Sequence, residues 1–202
     1  MKKIILFLFL LTSIGTGFAQ KDAQAKKILD KAAAAFGSKG GTEIAFSISG
    51  AQSMSGTIKV KSNKFVLYAG NMTTWYNGTT QWTYLKNTQE VNITTPTPSQ
   101  VSQLNPQAWL YSYKNGYNYQ YAGKSSGLHK IVLTPNRKGQ PVKSIALWIK
   151  DGNYAPSKVV LTQSNGQSST ITVKKCTPAK YPDSLFQFNP KAYPQAEIID
   201  LR

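Results

Sequence analysis

Between Asp22 and Phe36 the apolar residues Ala25, Ile28, Leu29, Ala32 and Phe36 recur every three or four positions, with Lys26, Lys27 and Lys31 on the other side. That spacing predicts an amphipathic helix over 22–36, stopped by Gly37. After it the period drops to two. Ile44, Phe46 and Ile48 alternate with polar neighbours, as do Ile58 and Val60, Phe65 and Leu67, Trp82 and Tyr84, and Val91 and Ile93. The same alternation returns in Tyr117, Tyr119 and Tyr121, in Ile131 and Leu133, in Ile145, Leu147 and Ile149, in Val159 and Leu161, and in Ile171 and Val173. Turn-forming stretches separate several of these runs: "KSN" at 61–63, "NGT" at 77–79, "NRKG" at 136–139, "DGNYAP" at 151–156 and "SNGQ" at 164–167. About ten antiparallel strands are expected from this pattern.

The rhythm breaks once. Residues 95–116, "TPTPSQVSQLNPQAWLYSYKNG", carry Pro96, Pro98 and Pro106, and Val101, Leu104, Ala108 and Leu110 are spaced closer to a helix than to a strand. Pro98-Ser99 reads as one helix start and Asn105-Pro106 as a second, with Asn105 as cap. A sheet with one N-terminal helix and one helical insert, at 98–113, buries its apolar face only if the helices cover it, which predicts a half-open barrel with a lid.

The first residues fix the expected compartment. "MKKIILFLFLLTSIGTGFAQ" has Lys2 and Lys3, an apolar run from Ile4 to Leu11, and the small-x-small triplet Gly17-Phe18-Ala19. This is the pattern of a secretory signal peptide, 1–19, cut after Ala19 or Gln20. The apolar run is shorter than the roughly 20 residues that span a bilayer. No Cys lies near the cut to take a lipid anchor, so a soluble exported protein is expected, with residues 20–202 as one domain. Cys176 is the sole cysteine, which rules out an intramolecular disulfide. It is read as inert, although Lys174 and Lys175 precede it.

Charge changes the picture of partners. The chain has 24 basic and 8 acidic residues, a formal charge of +16 that falls to +14 without Lys2 and Lys3. Such a field draws anionic surfaces and acidic partners. Arg137 and Arg202 are the only arginines, and the lysines are scattered singly or in pairs. Nucleic acid is therefore disfavoured, because bidentate phosphate and guanine contacts rely on Arg. An enzyme is not expected either. His129, the only histidine, has no carboxylate within ten residues along the chain, and no closely spaced carboxylate pair or Gly-rich phosphate loop is present. No metal site and no cofactor are implied.

The order of a helix, "NGTTQWTYLKNTQEV" (77–91), a Pro-punctuated helical insert, "HKIVLTP" (129–135), "IALWIKDGNYAPSKVVL" (145–161), a polar hairpin and "LFQFNP" (185–190) resembles the outer-membrane lipoprotein carrier (LolA) family. Its most specific pieces are Gly78, Trp82 and Tyr84; Val132 to Pro135; and Phe186, Phe188 and Pro190. The ending "YPQAEIIDLR" is similar to that of Bacteroidetes members. The resemblance implies a mainly β fold, an unclosed antiparallel β-barrel covered by an N-terminal helix and a short helical insert. It also implies a monomeric periplasmic chaperone that carries the acyl chains of lipoproteins from an inner-membrane transporter to an outer-membrane acceptor, with transient membrane-surface contact.

Acyl chains offer only methylenes, each worth about 0.8 kcal/mol when buried, so their site needs apolar area rather than charge. Phe46, Ile58, Val60, Phe65 and Leu67 would supply it from the first strands, Trp75, Trp82 and Tyr84 from the next, and Ile145, Leu147 and Ile149 from the second half. Leu104 and Trp109 would add to it from the insert, and Ile28, Leu29 and Phe36 from the lid. Without the resemblance, the same alternation fits an ordinary filled core. Family members carry an Arg after the second strand that locks the lid; this chain has Ser62-Asn63-Lys64, so Lys64 is the cation available there, without the planar fork. Two other classes stay open: a carrier of another lipid or hydrophobic small molecule, and a cell-surface interaction protein using the tyrosines of "WLYSYKNGYNYQY".

Overall fold

The computed structural model describes residues 22–37, 40–50, 53–97, 100–101 and 113–202. The expected signal peptide lies outside them, as do Leu104 and Trp109. Helix α1, Ala23–Phe36, forms where the 3.6-residue pattern places it. Asp22 caps it, its carboxylate accepting the N–H groups of Gln24 at 2.7 Å and Ala25 at 2.9 Å. At the other end Gly37 donates its N–H to the Ala33 carbonyl. Ala25, Ile28, Leu29, Ala32, Ala33 and Phe36 make the buried stripe.

The strands follow as β1 (Thr42–Ser49), β2 (Met54–Lys61), β3 (Lys64–Ala69), β4 (Met72–Tyr76), β5 (Gln81–Leu85) and β6 (Glu90–Thr94) before the insert. After it come β7 (Tyr117–Ser125), β8 (Leu128–Pro135), β9 (Val142–Lys150), β10 (Pro156–Gln163) and β11 (Ser168–Pro178), and finally β12 (Glu197–Asp200). They form one sheet in the order β12-β6-β5-β4-β3-β2-β1-β11-β10-β9-β8-β7, which does not close: β12 and β7 are its two edges. The protein is thus an unclosed β-barrel with a helical lid. Sequential strands pair as hairpins on either side of the insert, and β1 pairs β11 to join the two halves.

Short turns hold these hairpins. Ser126 and Gly127, at φ of +49° and +72°, form the β7–β8 turn, and a two-residue hairpin with both central φ values positive matches the strand twist. Packing places another glycine: a Cβ on Gly56 would stand 2.5 Å from the Tyr68 carbonyl oxygen and 3.1 Å from the Phe46 ring. The ring of Phe46 fits against β2 because that position has no side chain.

The sheet differs from the expected ten antiparallel strands in two elements. "MTTWY" of β4 carries two threonines and gives no apolar alternation, and "EIID" of β12 reads as a tail. Moreover β12 runs parallel to β6, with Glu197 opposite Glu90 and Asp200 opposite Ile93. Between β11 and β12 the chain makes two short 3-10 turns, Asp183–Phe186 and Pro190–Ala192. Of the helical insert expected at 98–113, Gln100 and Val101 are helical, Tyr113 is a turn residue, and the rest lies outside the described residues.

Each face of the sheet carries a core. On the lid side α1 packs with the apolar positions of β1–β4 and β7–β11, and Val101 and Tyr113 join from the two ends of the insert. On the outer face, Val66, Trp75 and Val91 pack under Phe186 and Phe188 from the segment between β11 and β12.

Candidate functional site

Strand alternation gathers the lid-side face. Ile44 stands opposite Ile58, Ile58 opposite Leu67, and Val60 opposite Phe65. In the second half Ile131 stands opposite Leu147, Leu133 opposite Ile145, and Val159 opposite Leu147. The structure therefore brings Phe46, Ile58, Val60, Phe65, Leu67, Ile145, Leu147 and Ile149 into one cluster with Ile28, Leu29 and Phe36 of α1. Leu29, Ile58, Val60 and Phe65 are wholly buried, so the face is closed in this state.

Trp75, Trp82 and Tyr84 do not belong to that face. Trp75 stands opposite Val66 on β3 and Trp82 on β5, and all three aromatics sit in the outer-face cluster. Trp75 meets Phe188 and Tyr193 edge-on, with centroids 5.4 and 5.5 Å apart, and Tyr84 lies 4.6 Å from Tyr193. Period-two alternation says which residues share a face but not which face they share. Here the segment 179–196 covers the outside of β3–β6, and the apolar phase of β4 and β5 follows that cover.

Lys64 holds the same segment rather than the lid. Its Nζ is 2.9 Å from one Asp183 carboxylate oxygen, and Lys61 Nζ is 2.8 Å from the other. The two ammonium groups, Lys61 foremost, hold the Asp183 carboxyl down to about 2, from 3.8. Asp200, bound by Arg202 beside β12, is likewise held at about 2. A carboxyl depressed by folding adds stability that is present above its unfolded value and lost as pH falls through its folded value. The contribution of Asp183 to docking of the outer segment should therefore be complete above pH 3.8 and fade as pH falls from 3.8 toward 2, while Phe186 and Phe188 keep the segment on the sheet. Tryptophan emission should report that change, and a D183N variant should show a slightly loosened segment at neutral pH and a flattened acid step.

The lid is held at its rim by polar contacts. Asp22 donates its N–H to the Tyr119 carbonyl and its carboxylate accepts the Tyr121 N–H at 3.1 Å, tying the start of α1 to edge strand β7. Those backbone donors, Ala25 and then Tyr121, lower its pKa. Asp30 accepts from Lys26 and from the Tyr113 hydroxyl, and both hold its carboxyl low. Lys31 donates to the Tyr154 hydroxyl at 3.0 Å, its ammonium 4.5 Å from the ring centre. Tyr154 has a φ of +54°, which is strained for a bulky residue, and its ring stacks on His129.

His129, which has no carboxylate near it in sequence, gains one in space. Its Nε2 is 3.0 Å from Asp151 and its Nδ1 3.1 Å from the Tyr121 hydroxyl, while Lys124 also binds Asp151. Lys124 first, then His129, keeps the Asp151 carboxyl low and ionised. This group links β7, β8 and the β9–β10 turn. Cys176 is half-buried, and burial pushes its thiol up, away from reactivity.

One part of the lid side was not foreseen. On β4–β6 two ranks of this face are polar beyond the rank of Met72, Leu85 and Glu90: Thr74 stands opposite Thr83 and Thr83 opposite Asn92, while Tyr76 stands opposite Gln81 and Gln81 opposite Thr94. Gln81 Nε2 donates to the Thr83 hydroxyl at 3.3 Å, and its Oε1 is buried without a partner. Gln81 and Thr94 also line a pocket of about 580 Å³ with Thr95, Pro96, Gln100, Leu201 and Arg202. The sequence signal was the polar half of "QWTYL" and "VNIT", alternating with the aromatics that drew attention instead.

The family described as "Outer membrane lipoprotein carrier protein LolA" matches residues 15–167, ending before β11 and the outer segment. No curated protein matches the sequence. Among solved structures, the fold is similar to an uncharacterized conserved protein from Thermus thermophilus, at a TM-score of 0.60 and 13% identity over 88% of this chain and 99% of that one. It is similar to MucB at 0.50 and 14%, over 83% and 64%. A LolA superfamily protein from Nitrosomonas europaea follows at 0.47 and 12%, over 81% and 97%. At these identities the structural likeness shows the fold alone.

Proposed function

Because the chain belongs to the LolA family of outer-membrane lipoprotein carriers, we propose that it is exported to the periplasm by its signal peptide and works there as a carrier of lipoproteins. Their acyl chains bind on the face beneath α1. The cargo is taken from an inner-membrane transporter and delivered to an outer-membrane acceptor.

The observation that carries this reading is the make-up of the lid. Three of its six buried residues, Ala25, Ala32 and Ala33, are alanines, and its polar anchors lie at the rim. Burial of Ile28, Leu29 and Phe36 is worth about 1.5–3 kcal/mol each, so displacing α1 costs roughly 5–9 kcal/mol. A chain of about twelve methylenes recovers about 10 kcal/mol at 0.8 kcal/mol apiece. One acyl chain thus roughly balances the lid, and two outweigh it. A closed carrier of this kind takes a single-chain lipid weakly and a diacylated ligand more tightly.

Native mass spectrometry of the protein purified from the periplasm tests the reading. A bound acylated peptide is expected. A free lipid or pigment would replace it with another carrier function, and an empty protein that binds no acyl probe would overturn it.

The basic surface fits docking. Asp22, Asp30, Glu43, Asp151, Asp183 and Asp200 are each already engaged by cations or backbone N–H groups, which leaves the lysine excess facing solvent. Such a surface steers toward an acidic partner, and the attraction is screened within about 8 Å at physiological ionic strength. Association with the transporter or acceptor should slow several-fold as salt rises. A rate indifferent to salt would contradict this mode of docking.

A further inference from the structure

A face built to take methylenes has no use for the polar ranks on β4–β6. Elsewhere on the lid side the inward strand positions are Ile, Leu, Val and Phe with Ala69 and Tyr119 among them. On β4–β6 they are Thr74, Thr83 and Asn92 in one rank, and Tyr76, Gln81 and Thr94 in the next. Thr74 is buried, its hydroxyl 3.4 Å from that of Thr83. The Tyr76 hydroxyl is committed to the Gly78 carbonyl at 2.8 Å.

Gln81 is the residue that points to a ligand. An amide oxygen sealed from water without a donor costs about 1–3 kcal/mol, and native structures carry such groups rarely. Gln81 Oε1 is the one buried side-chain oxygen or nitrogen without a partner among the described residues. Its residue also walls the pocket of about 580 Å³. No carboxylate lines that pocket, and its one cation, Arg202, is already held by both oxygens of Asp200. The hydroxyls of the strip and the Gln100 amide that also lines the pocket do not reach Gln81 Oε1, which stays without a donor, while Thr83 and Thr94 can turn their hydroxyls to a ligand's acceptor.

We propose that the polar strip formed by Thr74, Gln81, Thr83 and Thr94 is a head-group subsite that takes the amide-bearing head of an acylated peptide, where the chains join the polypeptide, while the chains themselves run beneath α1. This rests on the lipoprotein-carrier reading and adds a basis for selectivity to it. An amide presents both an N–H for Gln81 and a carbonyl for the threonine hydroxyls. A fatty-acid ester presents no donor, and neither does an ionised carboxylate, so each leaves the Gln81 oxygen unpaired. A site built to hydrogen-bond a group discriminates strongly against an analogue that lacks it.

The test compares two probes of equal chain length, an N-palmitoyl dipeptide amide and methyl palmitate, each displacing a fluorescent acyl probe from the full mature chain. The wild type should bind the dipeptide amide at least tenfold more tightly. In Gln81→Leu that ratio should fall toward one with the methyl palmitate affinity unchanged. Thr83→Val should reduce the ratio and Thr83→Ser should keep it, with circular dichroism confirming the fold in each. A ratio near one in the wild type, or one unchanged in both Gln81→Leu and Thr83→Val, would overturn the subsite and leave the carrier standing. If the wild type binds neither probe, the carrier reading falls and the subsite with it.

Discussion

Replacing Leu29 by alanine is expected to tighten acyl binding while lowering the stability of the protein. Leu29 is wholly buried in the stripe that α1 lays on the sheet. A Leu→Ala change at such a site costs about 2–5 kcal/mol. In a filled core that cost would simply weaken the fold. If α1 and acyl chains compete for one face, the loss falls on the closed state, and the fraction of protein ready to bind rises accordingly. A shift of about 1.4 kcal/mol is tenfold in affinity, so a gain of at least tenfold for a fluorescent diacyl probe is expected, levelling off once the open state dominates. Unchanged or weaker binding by a folded variant would show that α1 does not compete.

Phe186→Ala should have the opposite profile. Phe186 is wholly buried on the outer face, beside Trp75, Val91 and Phe188. Removing an aromatic from a packed core costs about 3–5 kcal/mol, which for a chain of this size lowers Tm by roughly 10 °C. Acyl affinity should not change, because the sheet separates this cluster from the lid side. A parallel loss of acyl binding in the folded variant would bring the outer aromatics back into the ligand site.

The contrast between those two residues shows what was legible in the sequence. The helix was readable to within a residue, because its apolar spacing, the Asp22 cap and Gly37 agree. The apolar lid-side face was readable too, since Phe46, Ile58 and Leu147 alternate on strands that keep one phase. The phase of β5 was not. "QWTYL" shows that Trp82 and Tyr84 share a face, but the decision between faces belongs to Phe186, Phe188 and Tyr193, about a hundred residues later. The pairing of His129 with Asp151, and of Lys64 with Asp183, likewise depends on contacts between segments distant in sequence. Strand β12 escaped notice because four residues paired in parallel at a sheet edge carry no periodic signal of their own.

Ligand and lid are expected to exchange places on the sheet. Hydrogen exchange of the mature chain, free and saturated with a diacylated peptide, measures this directly. The amides of Ala23–Phe36 should exchange markedly faster in the complex, while those of β2 and β9 keep or gain protection. Protection of α1 that is unchanged or increased by saturating ligand would contradict the displacement of the lid and place the acyl chains elsewhere.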